Sequence, residues 1–284
     1  MIQAIQSYFA AKGVDNKANN RPSQAFMGLN YKLKSLNRDV VEFTARKEIK
    51  GNQVVYTAGN YKTVKENDKS VIVNGGAKIE KLVTADGNIQ VKKGAEVGEI
   101  VTQGGEVTIE DGAKVEKITT ADGKVKLQNH ASVDGKIQTD SGKVLLLADA
   151  YAFEIDTDSG NIQLNQRAEA STINTNTGNV YLCGDPSGNN REENSGDHRY
   201  TYAYDVYSAE GKVKLTKKSL VDSITTDTGT VTLYSGSRAG KIITDYGKVE
   251  LHDDTEADEI FVPEGNLVVD KNAKVKKVKY VNSE

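Results

Sequence analysis

Glycine returns at a fixed interval through most of this chain. Gly87, Gly105, Gly123, Gly142, Gly160 and Gly178 lie 18, 18, 19, 18 and 18 residues apart. After a gap of 33 the series resumes with Gly211, Gly229, Gly247 and Gly265, 18 apart each time. A period near 20 residues marks stacked structural repeats, in which each unit buries its apolar side against its neighbours. No other feature constrains the fold as strongly, because the period assigns nearly every apolar residue to architecture.

Within one unit the apolar or small residues come in pairs two apart: Ile118 and Thr120, Val125 and Leu127, Ala131 and Val133. Period-2 alternation is the signature of a strand, since successive side chains point to opposite faces. Three pairs predict three short strands per coil, each with two residues turned inward. The same positions recur as columns. One runs from Leu82 and Ile100 to Ile242 and Ile260, with a threonine partner column from Thr84 to Thr244. A second runs from Ile89 to Leu267, paired with Val91 through Val269. The third holds smaller pairs, from Ala95 and Val97 to Ala273 and Val275. Columns of like residues about 4.8 Å apart are in-register parallel sheets, and β-branched residues suit their pleated surface. The expected fold is an all-β solenoid: a right-handed parallel β-helix with three short strands per coil of about 18 residues. Handedness follows from the preference for right-handed crossovers.

Two details of the coil carry their own expectations. Glycine at the corner is read as a residue with positive φ, which it adopts without steric cost. The threonine column is read as a ladder in which each hydroxyl donates to the next and accepts from the last.

At 284 residues a single globular core nears its upper size, a limit that a solenoid avoids by growing in one dimension. Coils from about Val64 to the C-terminus make some twelve turns, about 55 Å at one strand spacing each. The net charge is −3, from 37 basic and 40 acidic residues well mixed along the chain, which excludes the basic stripe of a nucleic-acid groove. A single cysteine, Cys183, rules out an internal disulfide and suits the cytosol. No apolar run is long enough to span a membrane and no secretory leader is evident. The expected location is cytoplasmic, with signal-less secretion as the alternative.

Two regions break the pattern. Residues 1–63 read as an N-terminal cap, a small α/β unit with a helical start around Tyr8 and Phe9 and a strand at Val40 to Phe43; open solenoid ends need such covers. Its polar residues there are mostly Gln and Ser, so contact with a membrane surface is not expected. The β-helix, residues 64–284, is interrupted at about 183–205, where the interval from Leu182 to Val206 holds 15 residues more than a normal coil. Insertions in repeat proteins fall on one flank and often bind. Tyr200, Tyr202 and Tyr204 alternate there, placing three rings on one side of a short strand. Outward positions nearby also turn apolar, at Leu145, Leu147, Tyr151, Phe153 and Tyr181. Together these eight residues form the expected contact surface.

The chemistry of catalysis is not legible. His130, His198 and His252 lie far apart in register and form no metal-ligand set. The Gly-Asp turns lack the nine-residue period of calcium-binding repeats. Asp253-Asp254 reads as a turn, and Asp185, Asp197 and His198 share only one loop. Hexapeptide-repeat acyltransferases also use 18-residue coils, but place one aliphatic residue every six, unlike the inward pairs here. No cofactor is expected.

The three-strand coil, its ITTADGKVKL unit and its GAKVEKI, GAEVGEI and ASVDGKI connectors resemble bactofilins, over residues 64–182 and 206–280. That resemblance implies a triangular β-helix and polymers joined end to end through open terminal coils. This chain is longer, starts with a folded segment and carries the insertion. The strand pattern continues almost to the C-terminus, so Val275, Val278 and Tyr280 are the expected assembly edge. The function expected is a non-enzymatic structural or interaction scaffold that self-associates or binds a protein partner. The alternatives are a secreted bacterial factor binding glycans or surfaces, and a carbohydrate-active enzyme on the insertion flank.

Overall fold

The computed structural model describes residues 31–34, 40–43, 46–184 and 200–281. Two long sheets hold nearly all of them, one of 13 strands and one of 12. In the first, short strands from Gln53–Thr57 to Leu267–Val269 pair in parallel with the strand one coil before and after. Arg46–Lys50 closes its N-terminal edge, antiparallel to Gln53–Thr57. The second sheet holds longer strands, from Gly59–Glu66 to Lys274–Val281. The chain alternates between the two sheets, so each coil gives one strand to each. The fold is an all-β parallel solenoid of about twelve turns, as the glycine period predicts, with no helix among the described residues. The stacking is in register: Val107, Val125 and Val144 lie beside one another, as do Ile100, Ile118 and Ile137.

Three inward faces exist, but they come from two strands per coil. The third and first predicted strands are halves of one continuous strand that bends between them. In Lys114–Thr120, Val115 points inward before the bend and Ile118 and Thr120 after it, with Glu116 and Lys117 both outward at the bend. Two successive outward residues turn the chain, and no separate loop is needed. The one 19-residue interval is absorbed here, as a register shift at Asp134 and Gly135. The faces are called the Ile/Thr, Val/Leu and Ala/Val faces below. Their inward columns are almost wholly buried from Val71 to Ile260.

The periodic glycines serve a purpose other than the one expected. In that series only Gly105 and Gly265 have positive φ. At Gly123 a Cβ would lie 2.6 Å from the carbonyl oxygen of Gly105, one coil below. The others are crowded in the same way: Gly142 by Gly123, Gly160 by Gly142, Gly178 by Gly160. Glycine is required because successive corners stack carbonyl oxygen onto α-carbon. Positive φ is used instead at the next corner, after the Val/Leu strand, by Gly94, Gly112 and Gly236 but also by His130, Asp149, Lys218 and Asp254.

The threonine column also departs from expectation. Thr139 Oγ1 donates to the Ala121 carbonyl at 2.9 Å and accepts the Gly142 N–H at 2.9 Å. Thr102 donates to Ala85, and Thr244 accepts from Gly247. One hydroxyl-to-hydroxyl bond is present, Thr157 to Thr175 at 3.0 Å. The hydroxyls therefore tie each corner to its own coil and the coil below. A backbone carbonyl is the nearer partner because the corner folds over the threonine.

Parallel stacking begins at Gln53, ahead of Val64, and Val40–Phe43 forms a strand antiparallel to Tyr31–Lys34. The helical start expected near Tyr8 lies outside the described residues.

Candidate functional site

The outward surface of the Ala/Val face is laid down by register. One column reads Lys78, Glu96, Lys114, Ser132, Tyr151, Glu169, Tyr202, Leu220, Arg238, Glu256 and Lys274. Its ends are charged and matched: Lys78 pairs with Glu96 at 2.7 Å, and Glu256 lies between Arg238 at 3.2 Å and Lys274 at 3.3 Å. Stacking opposite charges on neighbouring parallel strands is favourable in the same way as any cross-strand pair. In the middle the ladder is interrupted by rings. Tyr151 and Phe153 sit on one coil, Glu169 and Ser171 on the next, Tyr202 and Tyr204 on the one after.

These four aromatic residues make an island between two charged flanks. The rings of Tyr202 and Tyr204 meet edge-on, centroids 4.6 Å apart at 74°. Tyr202 Oη donates to Asp222 Oδ2 at 2.6 Å, and Tyr151 Oη lies 3.4 Å from Ser171 Oγ. Burial, then the Asp222 carboxylate, push the Tyr202 phenol well above its ordinary range, so it remains a donor at any physiological pH. Phe153 is 50% and Tyr204 46% exposed. They present apolar ring area to solvent while their neighbours are held by hydrogen bonds, and Leu220 extends the island by one coil, half-buried.

The structure divides the predicted contact residues among three places. Tyr151, Phe153, Tyr202 and Tyr204 come together. Leu145 and Tyr181 lie on the outer side of the Val/Leu sheet, in one column with Gln163 between them. Leu147 stands at the corner after that sheet, beside Asn165, and Tyr200 precedes the strand Thr201–Ser208, half-buried. Outwardness alone does not say which of the three faces a residue occupies. The sequence reading missed Leu220 and the exposed rings of Tyr207, Tyr234 and Tyr246; their signal was an apolar residue at an outward position, one per coil.

At the C-terminal coil, Val275 and Val278 are half-buried and Tyr280 is 57% exposed. Their column neighbours one coil earlier, Ala257, Ile260 and Val262, are wholly covered. The insertion's acid–base set, Asp185, Asp197 and His198, lies outside the described residues. His130 stands 3.1 Å from Asp111, and His252 3.1 Å from Asp270, each across one coil. Among the described residues no helix is long and apolar enough to cross a membrane. Comparison with protein-family models, curated proteins and solved structures finds no match for this chain.

Proposed function

We propose that this protein is a non-enzymatic interaction scaffold of the cytoplasm, a rigid solenoid that presents the Tyr151, Phe153, Tyr202 and Tyr204 island to a protein partner. The observation supporting this is the interruption of a matched charge ladder by pairs of rings on two coils, Tyr151 with Phe153 and Tyr202 with Tyr204, flanking Glu169 and Ser171. A solvated wall needs no aromatic residues, whereas protein interfaces concentrate them at their centres with charge at the rim. The island stands on paired strands, so little backbone order is lost on binding. Affinity capture with the wild type and with the Phe153→Asp/Tyr204→Asp double variant tests the reading. A partner held by the wild type and lost by the variant supports it. Identical captured sets overturn it.

A second reading is favoured by the exposed inward columns of the last coil. The resemblance of the coil repeats to bactofilins implies end-to-end polymers, for which Val275, Val278 and Tyr280 would be the surface on which a further coil stacks. Electron microscopy over a concentration series, with Val278→Asp as the variant, tests it: filaments that the variant shortens support it, and single short rods at every concentration refute it.

A further inference from the structure

The residue after each Val/Leu strand opens the second corner, and over successive coils these residues form a second outward column. It passes through Leu147, Asn165, Cys183, Thr216, Tyr234 and His252 to Asp270. A groove of about 800 Å³ runs along it, within the range of small-ligand clefts of about 300–1,000 Å³. The column is charged nearer the N-terminus, where Lys92 pairs with Glu110. Along the groove it carries amides, hydroxyls and a pair of flat rings.

The rings are fixed in place. Tyr234 stacks on His252 with centroids 4.8 Å apart and planes 22° from parallel. His252 Nδ1 lies 3.1 Å from Asp270 Oδ2, which pins the imidazole from the next coil. Tyr234 is 37% exposed. Unlike Tyr202 and Tyr207, whose hydroxyls donate to Asp222 and Asp227, its hydroxyl has no partner among the described residues. Ser235 and Asp253 stand beside the ring pair and Gln166 beside Asn165, all four lining the groove.

A peptide strand has little to pair with here. The corner's backbone groups already bond between coils: Tyr234 N–H to Leu215 and Gly236 N–H to Asp254. A nucleic acid would meet Asp253 and Asp270 with Lys217 as the groove's one cation among its described lining. A neutral sugar chain meets each feature. Its apolar ring face can pack on the exposed part of the Tyr234–His252 pair, its hydroxyls match amides and a carboxylate, and its repeat is close to the spacing of one coil.

We propose that this groove binds a neutral oligosaccharide lying along the solenoid axis, with one sugar ring against the Tyr234–His252 pair and its hydroxyls toward Ser235, Asp253 and Asn165. The site is independent of the aromatic island. The test is calorimetric titration of the full chain with maltohexaose, cellohexaose, xylohexaose and chitohexaose. At least one is expected to bind, about tenfold more weakly to Tyr234→Ala, the loss of one stacking ring. Ser235→Arg, which fills the groove from an exposed position, should abolish binding. Tyr246→Ala removes an exposed ring on another corner and should leave binding unchanged. No heat from any of the four sugars at millimolar concentration overturns the proposal. So does binding that Tyr234→Ala and Ser235→Arg both leave intact, or that Tyr246→Ala weakens as much. The Phe153→Asp/Tyr204→Asp variant should bind the sugar normally, which separates failure of this site from failure of the partner surface.

Discussion

Glycine is conserved in position along this chain's own repeats for two physical reasons, and substitution tells them apart. Gly123 has a neighbouring carbonyl where its Cβ would be, whereas Gly112 has open space within 4 Å and φ of +67°. Gly112→Ala should cost about 1–2 kcal/mol, the strain of a left-handed L-residue, and Gly112→Asn less, because Asn tolerates that region. Gly123→Ala must push two coils apart and should cost about 3 kcal/mol or more, with Asn no better. Thermal unfolding of the four variants checks this; equal losses at both sites would refute the distinction. The hydroxyl column allows a parallel comparison. Thr139→Val keeps the shape but strands the Gly142 N–H, at about 1–3 kcal/mol. Ser208 fills the same slot, and its buried hydroxyl lacks a partner, so Ser208→Ala should stay within about 0.5 kcal/mol of wild type. A Ser208→Ala loss as large as that of Thr139→Val would show that the serine has a partner after all. The position of these residues was legible in the sequence. Their reason was not, since it lies in a distance to the next coil, and no local pattern encodes that distance.

At the scale of elements, the strand Arg46–Lys50 is held on the first coil by its antiparallel pairing with Gln53–Thr57 and by one buried carboxylate. Glu66 accepts from Lys47 Nζ and from Tyr56 Oη, each at 2.5 Å. Burial raises the Glu66 pKa, but the bonds from Lys47 and Tyr56 outweigh it and the net direction is downward. A carboxyl whose folded pKa lies below its unfolded value stabilises the fold above the unfolded pKa, and that stability is lost as pH falls through the folded value. Acidification below the usual carboxylate range should therefore loosen this strand before the central coils. Amide exchange along Arg46–Lys50, corrected for intrinsic rates, should show lost protection at the N–H groups that pair with Gln53–Thr57, and Glu66→Gln should remove the pH dependence. Protection unchanged down to the acid unfolding of the whole chain would refute the lock. Elements also set the limit on reading the site. Alternation identified Tyr151, Phe153, Tyr202 and Tyr204 as outward, but Leu145 and Tyr181 satisfied the same rule. Only the corner after each Val/Leu strand, which carries the chain from one sheet to the other, puts the first four on one face and the last two on another.

At the scale of the whole molecule, the two readings of function differ in what the solenoid's ends do, and charge discriminates between them. If a second copy set its Gly59–Glu66 strand in register on Lys274–Val281, Lys62 would lie over Lys276 and Lys65 over Lys279, because these pairs occupy the same columns. Many internal pairs follow the opposite rule: Lys81 meets Glu99, Lys92 meets Glu110, Glu259 meets Lys277. Like charges one strand spacing apart repel by about 1 kcal/mol per pair in water, and salt screens them over about 10 Å at 0.1 M. Head-to-tail association should therefore be weak at low ionic strength and strengthen as salt is added. Lys279→Glu, whose neighbour one coil earlier is the uncharged Phe261, should set an opposite charge beneath Lys65 and promote association without salt; Lys276 is kept because it pairs with Asp258. Sedimentation velocity of both proteins across a salt series reads this out directly. Association that is strongest at low salt, or that Lys279→Glu abolishes, would mean that the last coil meets an acidic surface rather than another copy's first coil. The exposed columns at Val275, Val278 and Tyr280 would then belong to the partner-binding reading, and the solenoid would carry partner surfaces on both its flank and its end.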